Sequence, residues 1–474
     1  MDDAGAMRLG PRRDEVLERA TDMVRAAWAS FDAAREVEPA VDDEVRALMA
    51  EPLPRSGRDP LDALADAALV LDRSLAQARP RYLAYVGSSG LEVGAVADLL
   101  AHSYDINLAV DAGAATLLEH QTVAWLAQFL GFPAAAGSFT SGGTLSNLTA
   151  LAAARERAVP SSRRDGLVGV RPALYCSVEA HYSVMRAAEL LGLGSASVRD
   201  IPIDPVTRGM RPDLLAEQIA ADVADGVVPI AVVATAGTTL TGAVDPMLEI
   251  ADVCARFGGV WMHVDGAYGL PAAATSRAPL FAGLDRADSV SVDAHKWMFV
   301  PKACSAVLVR DPVTLTDTFS HDEAYMPHEG VIPNSVDMTL EYSRPLRALK
   351  LWLAFRVHGA EEFREALERN LTQARMLYRL AAAAPDFEVL PTPPALSIVP
   401  LRHRVEGCPD PDAHNLALTA ALQDDGRVYV SPAVIDGGQW LRPCFTNVRT
   451  TAGDVEVFLS VARELGGRLC PDHV

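Results

Sequence analysis

Val260-Trp261-Met262-His263-Val264-Asp265-Gly266-Ala267-Tyr268-Gly269 runs largely apolar for five residues, meets a carboxylate, and then turns on small residues. A run of that length bounded by glycine reads as a buried strand ending at Asp265. Its surroundings repeat the pattern. Residues 173–176, 228–233, 289–292 and 305–309 are strand-like, and helical spacing separates them at 182–191, 212–224 and 247–257. This alternation from residue 171 to 310 predicts βαβ units and a mostly parallel sheet covered on both faces. Ligand sites in such sheets lie at the carboxyl ends of the strands.

The next apolar run leads into Ser291-Val292-Asp293-Ala294-His295-Lys296-Trp297-Met298-Phe299-Val300-Pro301, which sets a lysine at a strand end. Burial there is expected to disfavour the ammonium and lower its pKa, leaving a nucleophilic amine. Such an amine can condense with an aldehyde, most often that of pyridoxal phosphate (PLP). Taken alone, the segment favours a lysine that snorkels its head to solvent. Three other groups fall at strand ends. Asp265, beside its small-residue turn, could hold a pyridine nitrogen protonated through a charge-assisted bond worth about 1.5–3 kcal/mol, or could simply cap a helix. His181 begins a helical pattern and could lay its ring over a cofactor, or be a cap or surface residue. Ala234-Thr235-Ala236-Gly237-Thr238-Thr239 offers hydroxyls for a ligand or merely closes a turn. Earlier, Gly137-Ser138-Phe139-Thr140-Ser141-Gly142-Gly143-Thr144-Leu145-Ser146-Asn147 runs into a helix over 148–157. Its glycines, Thr144 and the helix start suit a phosphate, and equally a plain capped turn.

Composition narrows the class. A chain of 474 residues, half hydrophobic and 22% charged, is core-rich and long enough for two or three domains. With 42 basic against 62 acidic residues, the net charge of -20 argues against nucleic acid and anionic membrane as partners. The six cysteines are scattered, with no metal-ligand spacing, so no metal is expected and reduced, cytoplasmic thiols are the simplest account. No secretory signal or membrane span is evident.

Residues 14–49 carry apolar residues at helical spacing amid charges, predicting one or two amphipathic helices with little core of their own, packed on a partner subunit or on the same chain. A Pro/Gly/Arg linker follows at 51–60. Residues 81–90 form an aromatic stretch ending in a Gly/Ser turn, and helical patterns follow at 91–102 and 115–130. Beyond residue 346 a long helix, broken near His358-Gly359, leads to strands around 395–402, 427–431 and 440–447 and a last helix over 452–465. Arg442, on the strand before Pro443, could be set toward the cleft, though a surface ion pair is the expected role.

In order and spacing, Phe139-Thr140-Ser141-Gly142-Gly143-Thr144, Ala180-His181-Tyr182-Ser183, Gly237-Thr238-Thr239, His263-Val264-Asp265-Gly266-Ala267-Tyr268 and His295-Lys296-Trp297 resemble the motifs of group II PLP-dependent decarboxylases. That family includes the aromatic amino-acid, glutamate and diaminobutyrate enzymes. The resemblance implies a fold-type I α/β enzyme: an N-terminal helical segment (1–79), a large PLP-binding domain (80–350) and a small α+β C-terminal domain (351–474). It also implies a cytoplasmic homodimer with active sites at the interface and a small-molecule amino-acid substrate. Carried over by position, Lys296 would form the Schiff base, Asp265 would pair with the pyridinium nitrogen and His181 would stack on the ring. Gly142, Gly143, Thr144 and His295 would hold the phosphate, with Thr239 near the cofactor and Ala267 under the ring.

Two departures bear on function. Tyr85 and Ser88 fit the family's substrate segment, but Asn107 stands where the aromatic amino-acid enzymes place an aromatic wall, which points to a small or polar substrate. The family's mobile loop carries a tyrosine that protonates Cα, whereas the stretch 325–337 here has Pro333-Asn334-Ser335 near that place, with Tyr325 and Tyr342 out of register. The expected activity is therefore removal of the α-carboxylate from such an amino acid. Alternatives are decarboxylation with oxidative deamination to an aldehyde, β-elimination from a cysteine conjugate, and an inactive scaffold.

Overall fold

The structure, a computed structural model, describes residues 7–34, 39–321 and 334–469. Among them, seven strands build a central sheet: β1 (Ala136–Thr140), β2 (Pro172–Ser177), β3 (Val198–Ile201), β4 (Val228–Thr235), β5 (Trp261–Asp265), β6 (Ser289–Asp293) and β7 (Ser305–Val309). Their order is β1-β7-β6-β5-β4-β2-β3. Neighbours from β3 through β6 are parallel, and β7 alone runs against both of its partners. Alternate residues of one strand enter opposite layers. Val232, Ala234, Met262 and Val264 join one apolar cluster, while Ala231, Val233 and Trp261 join another. That period of two, with both faces buried, is what a sheet covered by helices on each side requires.

Strands β1 and β3 were not legible as strands in the sequence. Gly137 shows why β1 forms nevertheless: a Cβ there would lie 2.6 Å from the Val307 carbonyl oxygen, so glycine lets β1 close onto β7 despite its low strand propensity.

A second, antiparallel sheet contains β8 (Phe387–Val389), β9 (Leu401–His403), β10 (Ser431–Ile435) and β11 (Gly438–Arg442), in the order β10-β11-β9-β8. The helices Pro411–Asp425 and Ala452–Arg468 pack with it, the first unforeseen from sequence. A long helix, Ala348–Ala383, joins the two sheets. It breaks at Gly359, whose φ of 74° lies in the left-handed region that only glycine adopts freely, as the His358-Gly359 pair suggested. Its first part packs in the core of the large sheet and its last turns in that of the small one. Residues before the large sheet also reach the small one: the Leu83 amide donates to the Tyr429 carbonyl at 2.8 Å, and the Cys444 amide to the Leu83 carbonyl at 2.9 Å.

One buried ion pair ties the site-bearing end of β1 to the approach of the long helix. Arg344, 2% exposed, donates to Glu119 Oε1 at 2.6 Å and to the Phe139 carbonyl at 3.0 Å. Removing one member of such a pair leaves the other charge unpaired in the core, at a cost of about 3–5 kcal/mol. The N-terminal helices Arg13–Phe31 and Pro60–Asp72 bury none of their residues within the chain, unlike every long helix that follows them.

Candidate active site

Strands β2, β4, β5 and β6 end side by side, and their last residues are Ser177, Thr235, Asp265 and Asp293. Beyond these ends lies a cavity of about 320 Å³. It is lined by most of the residues singled out in the sequence: Tyr85, Gly142, Gly143, Thr144, His181, Thr239, Asp265, Ala267, His295 and Lys296. Ser88 and Asn107 are not among them. The Ser88 hydroxyl donates to the Val300 carbonyl at 3.0 Å, and Asn107 Oδ1 accepts from the amides of Ala109 and Arg344 at 3.0 and 3.2 Å, so both side chains tie their loops to segments distant in the chain. The stretch in which a Cα-protonating tyrosine was sought falls largely in 322–333, outside the described residues.

The cavity floor is a polar network. Asp265 is 6% exposed and its carboxylate is fixed from three directions: Asn147 Nδ2 donates at 2.9 Å, the Ala267 amide at 3.2 Å and Ser291 Oγ at 3.3 Å. Asn147 also donates to Ser183 Oγ at 2.9 Å, and its Oδ1 meets His263 Nε2 at 2.9 Å. Ser183 Oγ in turn lies 2.8 Å from His181 Nδ1. Asn147 is thus the hub that fixes Asp265, His181 and His263 relative to one another. The sequence reading gave it no role. Its signal was a polar residue in the otherwise alanine-rich helix Gly143–Ala158, which buries it to 1%.

Lys296 corrects an expectation. Burial does push its amine toward neutrality, but Asp293 Oδ2 at 3.0 Å and the nearby Asp265 outweigh it and raise the pKa above the ordinary lysine value. The amine is held as an ammonium. Asp293, 2% exposed, keeps its carboxyl below the usual range because Lys296 and His295 overcome its own desolvation. Arg442 is a second correction. Far from making a surface ion pair, it is 3% exposed and lines the cavity, with its guanidinium donating to the Thr239 carbonyl at 2.6 Å and to Ser431 Oγ at 3.1 Å. Pairing of Ser431 with Arg442 across β10 and β11 aims it there.

The residues present fit PLP. At Gly143, which opens the helix at the cavity edge, a Cβ would stand 2.9 Å from Ala267 Cβ and 3.1 Å from Asp293 Oδ2, so glycine keeps that cradle open for an anion at the helix start. Thr235 Oγ1 and Asp293 Oδ1 are buried beside the cavity without a hydrogen-bond partner, polar atoms that a bound polar group can satisfy. The chain has only three lysines, Lys296, Lys302 and Lys350, where it uses arginine freely elsewhere. Lys350 is buried against Asp98 at 3.0 Å, and Lys302 donates to Gln77, so Lys296 is the lysine the cavity offers.

Comparisons with known proteins point to the same cofactor. The family model described as the pyridoxal-dependent decarboxylase conserved domain matches residues 43–402. The chain is 34% identical over 430 residues to an aromatic-L-amino-acid decarboxylase of Bacillus atrophaeus, covering 87% of each protein. It is 35% identical over 367 residues to an L-2,4-diaminobutyrate decarboxylase of Rhizobium meliloti (strain 1021), covering 76% of this chain and 72% of the relative. The crystal structure of Oryza sativa TDC with PLP and tryptamine superimposes with a TM-score of 0.90 at 26% identity, covering 97% and 98% of the two chains.

The buried imidazoles carry a pH signature. Desolvation pushes His181 and His295 below the ordinary histidine range and His263 down to about 4. Between about 4 and 6.5 the unfolded chain therefore binds more protons at His263 than the folded one, so its contribution to stability is lost as pH falls through that window. Buried Asp245, pushed up to about 6, acts in the opposite sense over the acid part of the range. Comparing His263→Gln with the parent isolates the histidine: in urea titrations the difference in unfolding free energy between pH 7 and 4.5 should shift by about 2–3 kcal/mol. The same pH dependence in both proteins would contradict the assignment.

Proposed function

The chain belongs to the family of pyridoxal-dependent decarboxylases, and we propose that the cavity at the ends of β2, β4, β5 and β6 is its active site, with Lys296 carrying the cofactor. The enzyme is a PLP-dependent amino-acid decarboxylase. What carries the site reading is the convergence, in one cavity, of Lys296, the triply anchored Asp265 and the Gly142-Gly143-Thr144 helix start. Bound there, PLP supplies an electron sink for the pair released when the bond from Cα to the carboxylate breaks.

The chain's own residues then divide the work. The free amides at the start of the helix Gly143–Ala158, with Thr144 and His295, hold the phosphate. Asp265, locked by Asn147, Ala267 and Ser291, would hold a proton on the pyridine nitrogen, and a fixed anion there needs no rearrangement as charge develops. His181, kept neutral by burial and oriented by Ser183, would stack on the cofactor ring, with Ala267 leaving room for it. Asp293 would keep the Lys296 ammonium in place whenever the amine is not bonded to the cofactor, holding a proton at Nζ inside the cavity. Arg442, buried and charged, takes the substrate carboxylate. Thr239 and Tyr85 face the remaining space, which suits a small or polar side chain.

The same reading makes the enzyme a cytoplasmic homodimer with sites at the subunit interface. Supporting it are the five described cysteines, all unpaired, and a run of exposed apolar residues. Leu17, Val24 and Leu71 lie on the N-terminal helices that bury nothing, and Leu99, Leu100 and Tyr104 on the helix Glu92–Tyr104. Light scattering should give twice the 50.5 kDa chain mass, and an active particle of single-chain mass would reject the dimer.

Substrate and product are tested together by incubating the PLP-loaded enzyme with L-2,4-diaminobutyrate, cysteine sulfinate, tyrosine and tryptophan under air. Stoichiometric CO2 and amine from a polar substrate, with KM raised about tenfold or more in Arg442→Gln, is the expected result. Tryptophan as the best substrate would overturn the specificity, an unchanged KM would remove Arg442 from substrate binding, and aldehyde with peroxide would replace the amine as product.

A further inference from the structure

The hairpin that brings Arg442 to the cavity is fastened at its other end. Asp436, in the turn between β10 and β11, receives both arms of one guanidinium, with Arg208 Nη1 at 2.9 Å from Oδ2 and Nη2 at 3.1 Å from Oδ1. The same guanidinium reaches Glu179, with Nε at 2.9 Å from Oε1 and Nη2 on the same oxygen. Glu179 follows β2 and stands two residues before His181. Its other oxygen accepts from Thr241 Oγ1 at 3.4 Å, and Thr241 bonds Thr238 at 2.9 Å in the turn whose Thr239 carbonyl accepts from Arg442. The contacts close a ring that runs from Arg442 along its hairpin to Asp436, through Arg208 to Glu179, and back through the 238–241 turn to Arg442.

The two parts of the clasp differ in solvation. The side chains of Arg208 and Glu179 are 11% and 6% exposed, whereas that of Asp436 is 70% exposed. Arg208 and Asp436 both hold positive φ, 60° and 51°, a backbone state that non-glycine residues keep only where surrounding contacts over-determine it. The hairpin is also seated on the large sheet's side by Leu240, which packs against Ala433, Ile435 and Trp440, and nearby Thr392 Oγ1 donates to the Val206 carbonyl at 3.1 Å.

We infer that Arg208 is a positioning residue for substrate recognition: it clasps the β10–β11 hairpin of the small sheet to the His181 segment of the large one and so sets where Arg442 stands over the cavity. The inference rests on Arg442 as the residue that takes the substrate carboxylate. It assigns Arg208 no contact with substrate or cofactor. Loosening the clasp lets the hairpin tip shift on its apolar seat, which weakens substrate capture while Lys296, Asp265 and the Gly142-Gly143-Thr144 helix start, which lie outside the ring of contacts, stay in place.

The test uses the PLP-loaded enzyme and three variants, Arg208→Gln, Asp436→Asn and the double. Asp436 is exposed, so Asp436→Asn keeps the experiment informative if Arg208→Gln folds poorly. Each single variant should raise KM about three- to tenfold with kcat and PLP content within about twofold of the parent. The double should be no worse than Arg208→Gln, since both changes cut one link. Salt at about 1 M should raise the parent's KM and leave that of Asp436→Asn nearly unchanged, because the outer pair is solvated. An unchanged KM in both single variants, effects that multiply in the double, or a loss of bound PLP in step with activity would overturn the clasp. Measuring Arg442→Gln alongside separates the two readings: a raised KM there with none in the clasp variants rejects the clasp alone, and a raised KM in the clasp variants with none in Arg442→Gln rejects a clasp acting through Arg442.

Discussion

A cation held inside a cavity at the carboxyl edge of a parallel sheet, its side chain only 26% exposed, has to be compensated, and in this protein the compensation for Lys296 organises the site around it. Asp293 ends β6 and sits 3.0 Å from the ammonium, and Asp265 ends the adjacent β5. Two carboxylates at neighbouring strand ends would repel one another without the lysine between them. With it, and with donors from Asn147, Ala267 and Ser291, the edge of the sheet becomes a rigid, charged floor. Such a floor can act on a bound group without reorganising first, which is where protein electrostatics lowers barriers most.

Residue choice follows the same need. A chain that meets nearly all its demand for positive charge with arginine keeps lysine at three places, and a guanidinium could not serve as the nucleophilic amine proposed at position 296. Arginine takes the positions where a planar fork is wanted: Arg344 between Glu119 and the β1 carbonyl, Arg442 across the hairpin and Arg208 between two carboxylates. These three hold the elements that frame the cavity, so the same physics that stabilises the scaffold also sets its aperture.

Much of this was legible in the sequence because it depends on pattern and order. Apolar runs alternating with helical spacing marked out the parallel core, the glycine pair marked the helix start, and the placing of Asp265 and Lys296 after apolar runs marked the edge where the cavity lies. What stayed hidden depends on partners distant in the chain. Strand β1 forms because Gly137 can approach Val307, Asn147 matters because His263 and Asp265 converge on it, and Arg442 is buried because Ser431 faces it across a hairpin. The lysine's protonation was misjudged for a related reason, since burial was visible from the apolar runs on either side while the carboxylate three residues before it could have been on either face of the turn. Ser88 and Asn107 are alike in this: alignment with a family placed them near substrate, whereas within this chain they bond to Val300 and Arg344, far away in sequence, and do not line the cavity.

The most direct measurement is to saturate the protein with PLP, reduce it with borohydride, digest it and locate the added mass among the three lysines. The geometry predicts a single pyridoxyl group on the peptide carrying Lys296. A label on Lys302 or Lys350, or no fixed cofactor in protein that retains its fold, would contradict it.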